Sequence, residues 1–338
     1  MPRSRTLPPE LEGKINEVLK TRFGLSLQDA SSLAEAVKKL SDFFIENPDG
    51  ATPWAQSWAQ VAYLVYFLPL NHARVQAVVR EALSQDFFAG LDQVVDFGAG
   101  PGTASLALRE HFQSFTLVEK AKEICARFDF LTGSEALWLD KVPEINRPQS
   151  TLGVFSYSLT ELTTLPAWAQ RLEALMILEP STQQDGRKLL ELRQKLIEAG
   201  FSLWAPCTHQ GRCPLLTHSK TDWCHDRIHF ARPPWFEKLE QHLPMKNKTL
   251  TTSYLLARKK KAPLKASNIA RTIGDRLEEK GKDRQLLCRG EEREFLAWMH
   301  KQGLRQDLPR GVLVELPADA QKVSNELRIQ SPVKEAST

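Results

Sequence analysis

The stretch Val94-Val95-Asp96-Phe97-Gly98-Ala99-Gly100-Pro101-Gly102 limits what this chain can fold into more than any other. A short apolar strand runs into a glycine-rich turn, and Thr103 to His111 follows with helical spacing. From there strands and helices alternate. Strands are expected at 94–97, 115–118, 136–139, 152–157 and 175–178, with helices after the second, near Ala167 and over Asp185–Ala199. Such alternation predicts an α/β fold, a doubly wound, Rossmann-like parallel sheet covered on both faces. A ligand in such a sheet binds at the carboxyl ends of the strands, where this turn sits. Its glycines let the backbone approach a ligand that any β-carbon would push away. A dinucleotide site would carry G-x-G-x-x-G with phosphate on the helix amino terminus. Here the pattern is G-x-G-x-G, led by an acid and broken by proline. The acid repels phosphate but can pair with an ammonium, so a zwitterionic ligand fits better. Glu119 ends the second strand 23 residues after Asp96, where an acid can accept both hydroxyls of a ribose.

These features resemble class I S-adenosylmethionine-dependent methyltransferases. The resemblance implies S-adenosylmethionine as cofactor, with Asp96, Gly98, Gly100, Gly102 and Glu119 as its site. The fourth strand ends in Phe155-Ser156-Tyr157-Ser158-Leu159-Thr160-Glu161, where amino-methylating enzymes carry an Asn- or Asp-Pro-Pro-aromatic element. The Lys-Asp-Lys-Glu pattern of oxygen-methylating enzymes is not evident either. Pro206-Cys207 resembles the nucleophile dipeptide of cytosine-5 methyltransferases but lies beyond the fifth strand. Methyl transfer needs positioning and proton removal, and no residue is identified as the base.

Four segments are expected. Residues 1–90 form an amino-terminal helical cap, in which Trp54 and Trp58 serve packing. Residues 91–258 form the cofactor domain, with a cysteine-rich insertion at 205–235 and an antiparallel edge strand at Leu250–Ala257. Residues 259–317 hold a basic linker and a small β-rich appendage, with short strands at 271–277, 284–288, 294–299 and 311–316. Residues 318–338 form a flexible tail.

The composition, 42% apolar and 25% charged, belongs to a soluble globular protein, and 338 residues suggest about two domains. The most apolar run, Val61–Leu70, is too short to cross ~30 Å of hydrocarbon, and no signal peptide or presequence is evident. A soluble, cytoplasmic monomer is expected, with no membrane partner. Net charge is only +4, yet Lys246–Arg310 holds 17 Lys or Arg against 8 Asp or Glu. That asymmetry suggests a polyanionic partner for the carboxy-terminal third, with Arg258, Lys259, Lys260 and Lys261 as candidate phosphate contacts.

Five cysteines suit reduced thiols better than a disulfide framework. Cys125 is expected in the core. Cys207, Cys213 and Cys224 lie in a loop punctuated by Pro206, Gly211 and Pro214, and Cys288 follows much later. No Cys-x-x-Cys chelate occurs. Zinc on mixed ligands with His209 or His225, an iron–sulfur cluster and inert thiols are all compatible with the spacing.

Ala205-Pro206-Cys207-Thr208-His209-Gln210-Gly211-Arg212-Cys213-Pro214-Leu215, followed by Asp222-Trp223-Cys224-His225, resembles the methyltransferase-like mitochondrial small-ribosomal-subunit assembly family and its bacterial relatives. Glu179-Pro180-Ser181-Thr182 with Gly186 and Arg187, and Tyr157-Ser158-Leu159-Thr160-Glu161-Leu162, extend the likeness over roughly residues 50–290. The resemblance implies a role on the small ribosomal subunit or its RNA. It also implies a four-iron–four-sulfur cluster on Cys207, Cys213, Cys224 and Cys288, with zinc as the alternative. The compact chain is closer to a bacterial relative. Two readings of function follow. One is an S-adenosylmethionine-dependent rRNA methyltransferase, and the other a non-catalytic assembly or RNA-binding factor on the same fold.

Overall fold

Leu11, Ile15, Val18 and Leu19 recur at helical spacing and form the buried stripe of the first helix, which Pro8 and Pro9 open. The computed structural model describes residues 4–47, 50–131, 133–159 and 164–336. These residues form two units, each assembled from separate stretches. The first comprises Met1–Arg80, Gly90–Leu172 and Ile228–Leu250, and the second Glu81–Ala89, Glu173–Arg227 and Thr251–Thr338.

In the first unit, β1 (Ser4–Thr6) leads into α1 (Pro9–Phe23), α2 (Ala30–Glu46), α3 (Ser57–Ala62) and α4 (Leu68–Ser84). A π-helical turn over Tyr63–Phe67 joins α3 to α4, a distortion often found where a helix serves a site. The sheet elements follow: β2 (Gln93–Phe97), α5 (Thr103–Leu108), β3 (Ser114–Val118), α6 (Lys122–Cys125), β4 (Glu135–Leu139), β5 (Thr151–Ser156) and α7 (Ala167–Arg171). The four strands are parallel, in the order β5-β2-β3-β4, with Val94 opposite both Phe115 and Leu152. After β2 the chain moves to one side and later returns to the other, so β2 and β5 flank the topological switch point. Their near-continuous apolar runs are what a strand buried on both faces requires. Cys125 is fully buried in the core.

After its short first stretch, Glu81–Ala89, the second unit continues with β6 (Ala174–Glu179), α8 (Gln183–Glu198), β7 (Ser202–Ala205) and α9 (Pro214–His218). The chain visits the first unit through β8 (Asp226–Ala231) and α10 (Pro234–Gln241), where β8 runs parallel to β1, and returns with β9 (Thr249–Arg258). β9 pairs antiparallel with both β6 and β7. The expected edge strand is therefore an interior one, in keeping with its almost unbroken buried run.

The remaining strands are β10 (Ile269–Glu279), β11 (Lys282–Cys288), β12 (Glu294–Met299), β13 (Leu313–Glu315), β14 (Gln321–Val323), β15 (Glu326–Ile329) and β16 (Lys334–Glu335). They form one sheet in the order β14-β15-β12-β11-β10-β13-β16. Residues read from sequence as a flexible tail thus contribute three strands. Leu327 and Ile329 are the reason, because they are buried in one core with Leu287, Leu296, Trp298 and Val314. Sparse apolar residues in a polar stretch still order it when a preformed sheet offers an edge. Among the described residues, no helix is long and apolar enough to cross a membrane.

Candidate functional site

The turn after β2 holds Gly98, Gly100 and Gly102 at φ of 68°, 51° and 80°, a region that L side chains rarely adopt. A β-carbon on Gly98 would lie 2.5 Å from Ser158 Cβ, and one on Gly102 would lie 3.0 Å from Leu117 Cδ2. The glycines therefore serve the fold as well as any ligand.

The turn directs its N–H groups inward. Gly98 and Ala99 donate to the Val118 carbonyl, Gly102 to that of Ala99, and Gly100 to Glu119 Oε2 at 3.0 Å. Glu119 Oε1 accepts from the Ala121 N–H at 2.9 Å. Both oxygens of this acid keep a further lone pair for a ligand hydroxyl. Asp96 Oδ2 accepts from the Ser105 hydroxyl at 2.8 Å, whereas the buried Oδ1 has no partner among the described residues. Burial raises the Asp96 carboxyl to about 6, against the lowering effect of the Ser105 hydrogen bonds. Ser158 Oγ, packed against Gly98, is likewise buried without a partner. With its donors engaged and acceptors left over, the turn suits a ligand that brings N–H or O–H groups. A phosphate would find no free amide at Gly98, Ala99, Gly100 or Gly102.

All five residues expected at this site are therefore brought together. Sequence reading missed Trp54, Tyr63 and Ser158. A β-carbon on Gly100 would meet Trp54 Cζ2 at 3.4 Å and Tyr63 Oη at 3.6 Å, so the two aromatics cover the turn. Trp54 is buried, as expected of a packing residue, and its packing against Tyr63 and Phe128 places it over Gly100. The signal for Tyr63 is the π-helical turn, which leaves no mark in an apolar run. At the end of β5, Tyr157 has φ of 61°, a strained value for a bulky residue. The peptide after it, Thr160-Glu161-Leu162, lies outside the described residues.

In the second unit, Cys207, Cys213, Cys224 and Cys288 line one cavity together with Arg193, His209 and Tyr254. Burial, and then neighbouring thiols, push Cys288 up to about 12 and also raise Cys213. Cys224 is pushed well up by burial and then by Asp226. Arg193 is buried, donates from Nε to Cys207 Sγ at 3.1 Å and from Nη2 to the His209 carbonyl at 2.9 Å. Burial lowers His209 and His225 to about 4, which leaves both imidazoles neutral. Among the described residues, no group of three or more His, Cys, Asp or Glu stands close enough to hold a single metal ion.

The residues flanking the cysteines are held by specific contacts. Thr208 Oγ1 donates to the Cys288 carbonyl, and the Gln210 amide pairs with both backbone groups of Leu203. Trp223 packs on Gly186, where a β-carbon would clash at 2.4 Å, and Arg187 donates to the Asp222 carbonyl.

The basic carboxy-terminal third differs from its charge count. Arg258 is buried, pairs with Glu173 and donates to the Phe87 carbonyl, so it is not a phosphate contact. Arg271 pairs with Glu81, Arg284 with Glu279, Arg289 with Glu294 and Arg293 with Asp222. Lys259, Lys260 and Lys261 are exposed.

Residues 57–296 match the profile of the family described as mitochondrial small ribosomal subunit Rsm22. The chain belongs to the Rsm22 family. A search of curated proteins finds no match. Among solved structures, a candidate RNA methyltransferase from Pyrococcus horikoshii is similar at 13% identity, over 68% of this chain and 96% of that one, with a TM-score of 0.34. TrmK of M. capricolum, solved with S-adenosylhomocysteine, is similar at 12% identity, over 54% and 69%, with a TM-score of 0.31. The 23S rRNA methyltransferase ErmE is similar at 12% identity, over 56% and 70%, with a TM-score of 0.29. In this Rsm22 member, the class I methyltransferase fold rests on the chain's own strand order and on the glycine turn at its switch point.

Proposed function

We propose that this Rsm22-family protein binds S-adenosylmethionine at the glycine turn and acts on RNA of the small ribosomal subunit during assembly. The observation that carries this reading is the polarity of the turn, whose amides point inward while Asp96 Oδ1 and Ser158 Oγ have no partner among the described residues. Asp96 accepts from the ammonium of the methionine end, and Glu119 accepts from the ribose hydroxyls while bracing Gly100 and Ala121. Trp54 and Tyr63 cover the turn and exclude water from it. The cofactor, when bound, supplies an activated methyl group. Calorimetry with S-adenosylmethionine tests the site, and no binding by the intact protein would reject it.

Membership of the Rsm22 family supports the ribosomal partner. A second reading, binding without methyl transfer, is favoured by the end of β5. Among the described residues there, Ser156-Tyr157-Ser158 offers hydroxyls but no carboxylate to take up a proton and no side-chain amide to orient a substrate amine. Transfer of labelled methyl to immature small subunits separates the two readings.

A four-iron–four-sulfur cluster on Cys207, Cys213, Cys224 and Cys288 is part of the same proposal. Four thiols around one cavity, with a buried arginine against one of them, fit an anionic thiolate-bound group. One zinc ion would draw its sulfurs to about 3.8 Å apart, from Zn–S bonds of about 2.3 Å. The cysteine spacing permits either metal, and the family resemblance is what favours iron over zinc. Brown, iron-containing protein after anaerobic purification is expected, and colourless protein with stoichiometric zinc would replace iron by zinc. None of the five cysteines is joined in a disulfide, in keeping with a reducing compartment such as the cytoplasm.

A further inference from the structure

The helical part of the first unit carries cations whose situation differs from that of the carboxy-terminal third. Arg22, at the end of α1, lies over the Phe128 ring at 4.9 Å from its centroid and over Phe23 at 5.7 Å. Arg127 neighbours it, and neither guanidinium has a carboxylate partner among the described residues, although both are exposed. Burial and then Arg127 lower the Arg22 pKa, the mark of two cations held close. Beside them an open groove of about 330 Å³ is lined by Phe23, Leu25, Glu35, Lys39, Trp58 and Val61. Lys39 Nζ stands 4.7 Å from the Trp58 ring centroid. Phe128 also touches Trp54, which covers Gly100. Two side chains, Phe128 and Trp54, therefore link the exposed Arg22 to the glycine turn.

Two neighbouring cations with no carboxylate partner among the described residues, next to an open groove that holds a half-buried tryptophan, have the charge and shape to take a phosphate and a stacked base from one strand. We infer that Arg22, Arg127, Lys39 and Trp58 form a surface for single-stranded RNA, with the arginines on the backbone and Trp58 stacking a base. This deepens, and rests on, the reading that RNA is the partner. It moves the main contact from the arginine-rich carboxy-terminal third, whose guanidinium groups are largely held by their own carboxylates, to the helices.

The test uses the full chain and a fluorescent single-stranded RNA of mixed sequence, about 12 nucleotides long to cover one such groove. Arg22→Glu with Arg127→Glu should weaken binding at least about tenfold and flatten the log–log salt dependence by about 1.4, for two lost phosphate contacts. Trp58→Leu should weaken binding about tenfold and leave the salt slope unchanged, since stacking releases no counterions. Unchanged circular dichroism in the arginine variant, both sites being exposed, keeps the comparison fair. Wild-type protein that binds this RNA, with the arginine variant binding equally well and Lys259→Gln/Lys260→Gln/Lys261→Gln losing affinity, overturns the inference and returns the contact to the basic stretch. Wild-type protein that does not bind RNA at all overturns the RNA reading itself, and the surface with it.

Discussion

In the glycine turn, seven consecutive residues and one acid 23 positions after Asp96 provide most of the polar lining, with Ser158 added from just after β5. In the cysteine cavity, the thiols come from positions 207 to 288 and meet only after β9, β10 and β11 have formed. The first is a local backbone shape that the protein holds with its own hydrogen bonds. The second is a meeting of distant side chains, of which Cys213, Cys224 and Cys288 are pushed toward the neutral form by burial first and then by neighbouring groups. A local site survives loss of its ligand because its donors are already engaged. A convergent site of buried thiols gains more from an occupant, since metal binding becomes folding free energy.

The strongest way to break this contrast is at Cys288. Cys288→Ser should abolish metal content and lower stability by several kcal/mol, while S-adenosylmethionine affinity stays unchanged. Metal analysis with thermal unfolding checks both. Equal stability and equal metal in the variant would remove the distinction between the two sites.

At the glycine turn the largest effect is expected from Gly98→Ala. The left-handed φ and the 2.5 Å approach to Ser158 should together cost about 2–4 kcal/mol. Gly90, at φ of 76° with open space around its β-carbon position, provides the control, since Gly90→Ala should cost only the conformational part, about 1–2 kcal/mol. Equal losses in urea unfolding would show that Ser158 gives way. Gly100 follows the same logic, as its φ and the nearby Trp54 make a β-branched residue there disturb the turn itself.

Asp96 sharpens the comparison through pH. Its carboxyl is raised from 3.8 to about 6, so the folded protein holds this proton more tightly than the unfolded chain does. Stability should therefore be greatest at low pH in this respect and fall as pH rises from about 4 to 6, by up to about 3 kcal/mol. Asp96→Asn should remove that slope, read as the difference between urea unfolding curves of the two proteins across this window. Bound S-adenosylmethionine should weaken the slope in the wild type, because an ammonium at Oδ1 favours the carboxylate.

The smallest expected effect is at Glu119. Glu119→Gln should weaken S-adenosylmethionine binding by about 1.5–3 kcal/mol, the range for a hydrogen bond to a charged group, measured by calorimetry. No change would show that Glu119 only braces the turn.

The same contrast explains what could be read from sequence. The strands around Asp96 and the acid at Glu119 were legible because an apolar run, a glycine turn and a spacing are all short-range signals. The inner place of β9 was not, since pairing on both sides is decided by what returns later in the chain. β14 to β16 were hidden for the same reason, their burial depending on a sheet already built by β10 to β13. Trp54 and Tyr63 were visible as apolar residues but not as the cover of the turn, which depends on a π-helical turn. The cysteine set came from family resemblance, because a gap of 63 residues between Cys224 and Cys288 carries no geometric signal. Arg258 shows the limit of counting charge. Its neighbours in sequence are exposed lysines, while its partners in space are Glu173 and a backbone carbonyl.

Glu119 holds Gly100 and Ala121 in place through its two oxygens before any nucleoside arrives. Gly98 is likewise demanded by Ser158. A lineage that gave up methyl transfer would thus go on inheriting the signature of a methyl-transferring ancestor, because losing it would unmake the fold. In descendants of such an ancestor, the marks of lost chemistry should appear first at the end of β5 and last at the turn.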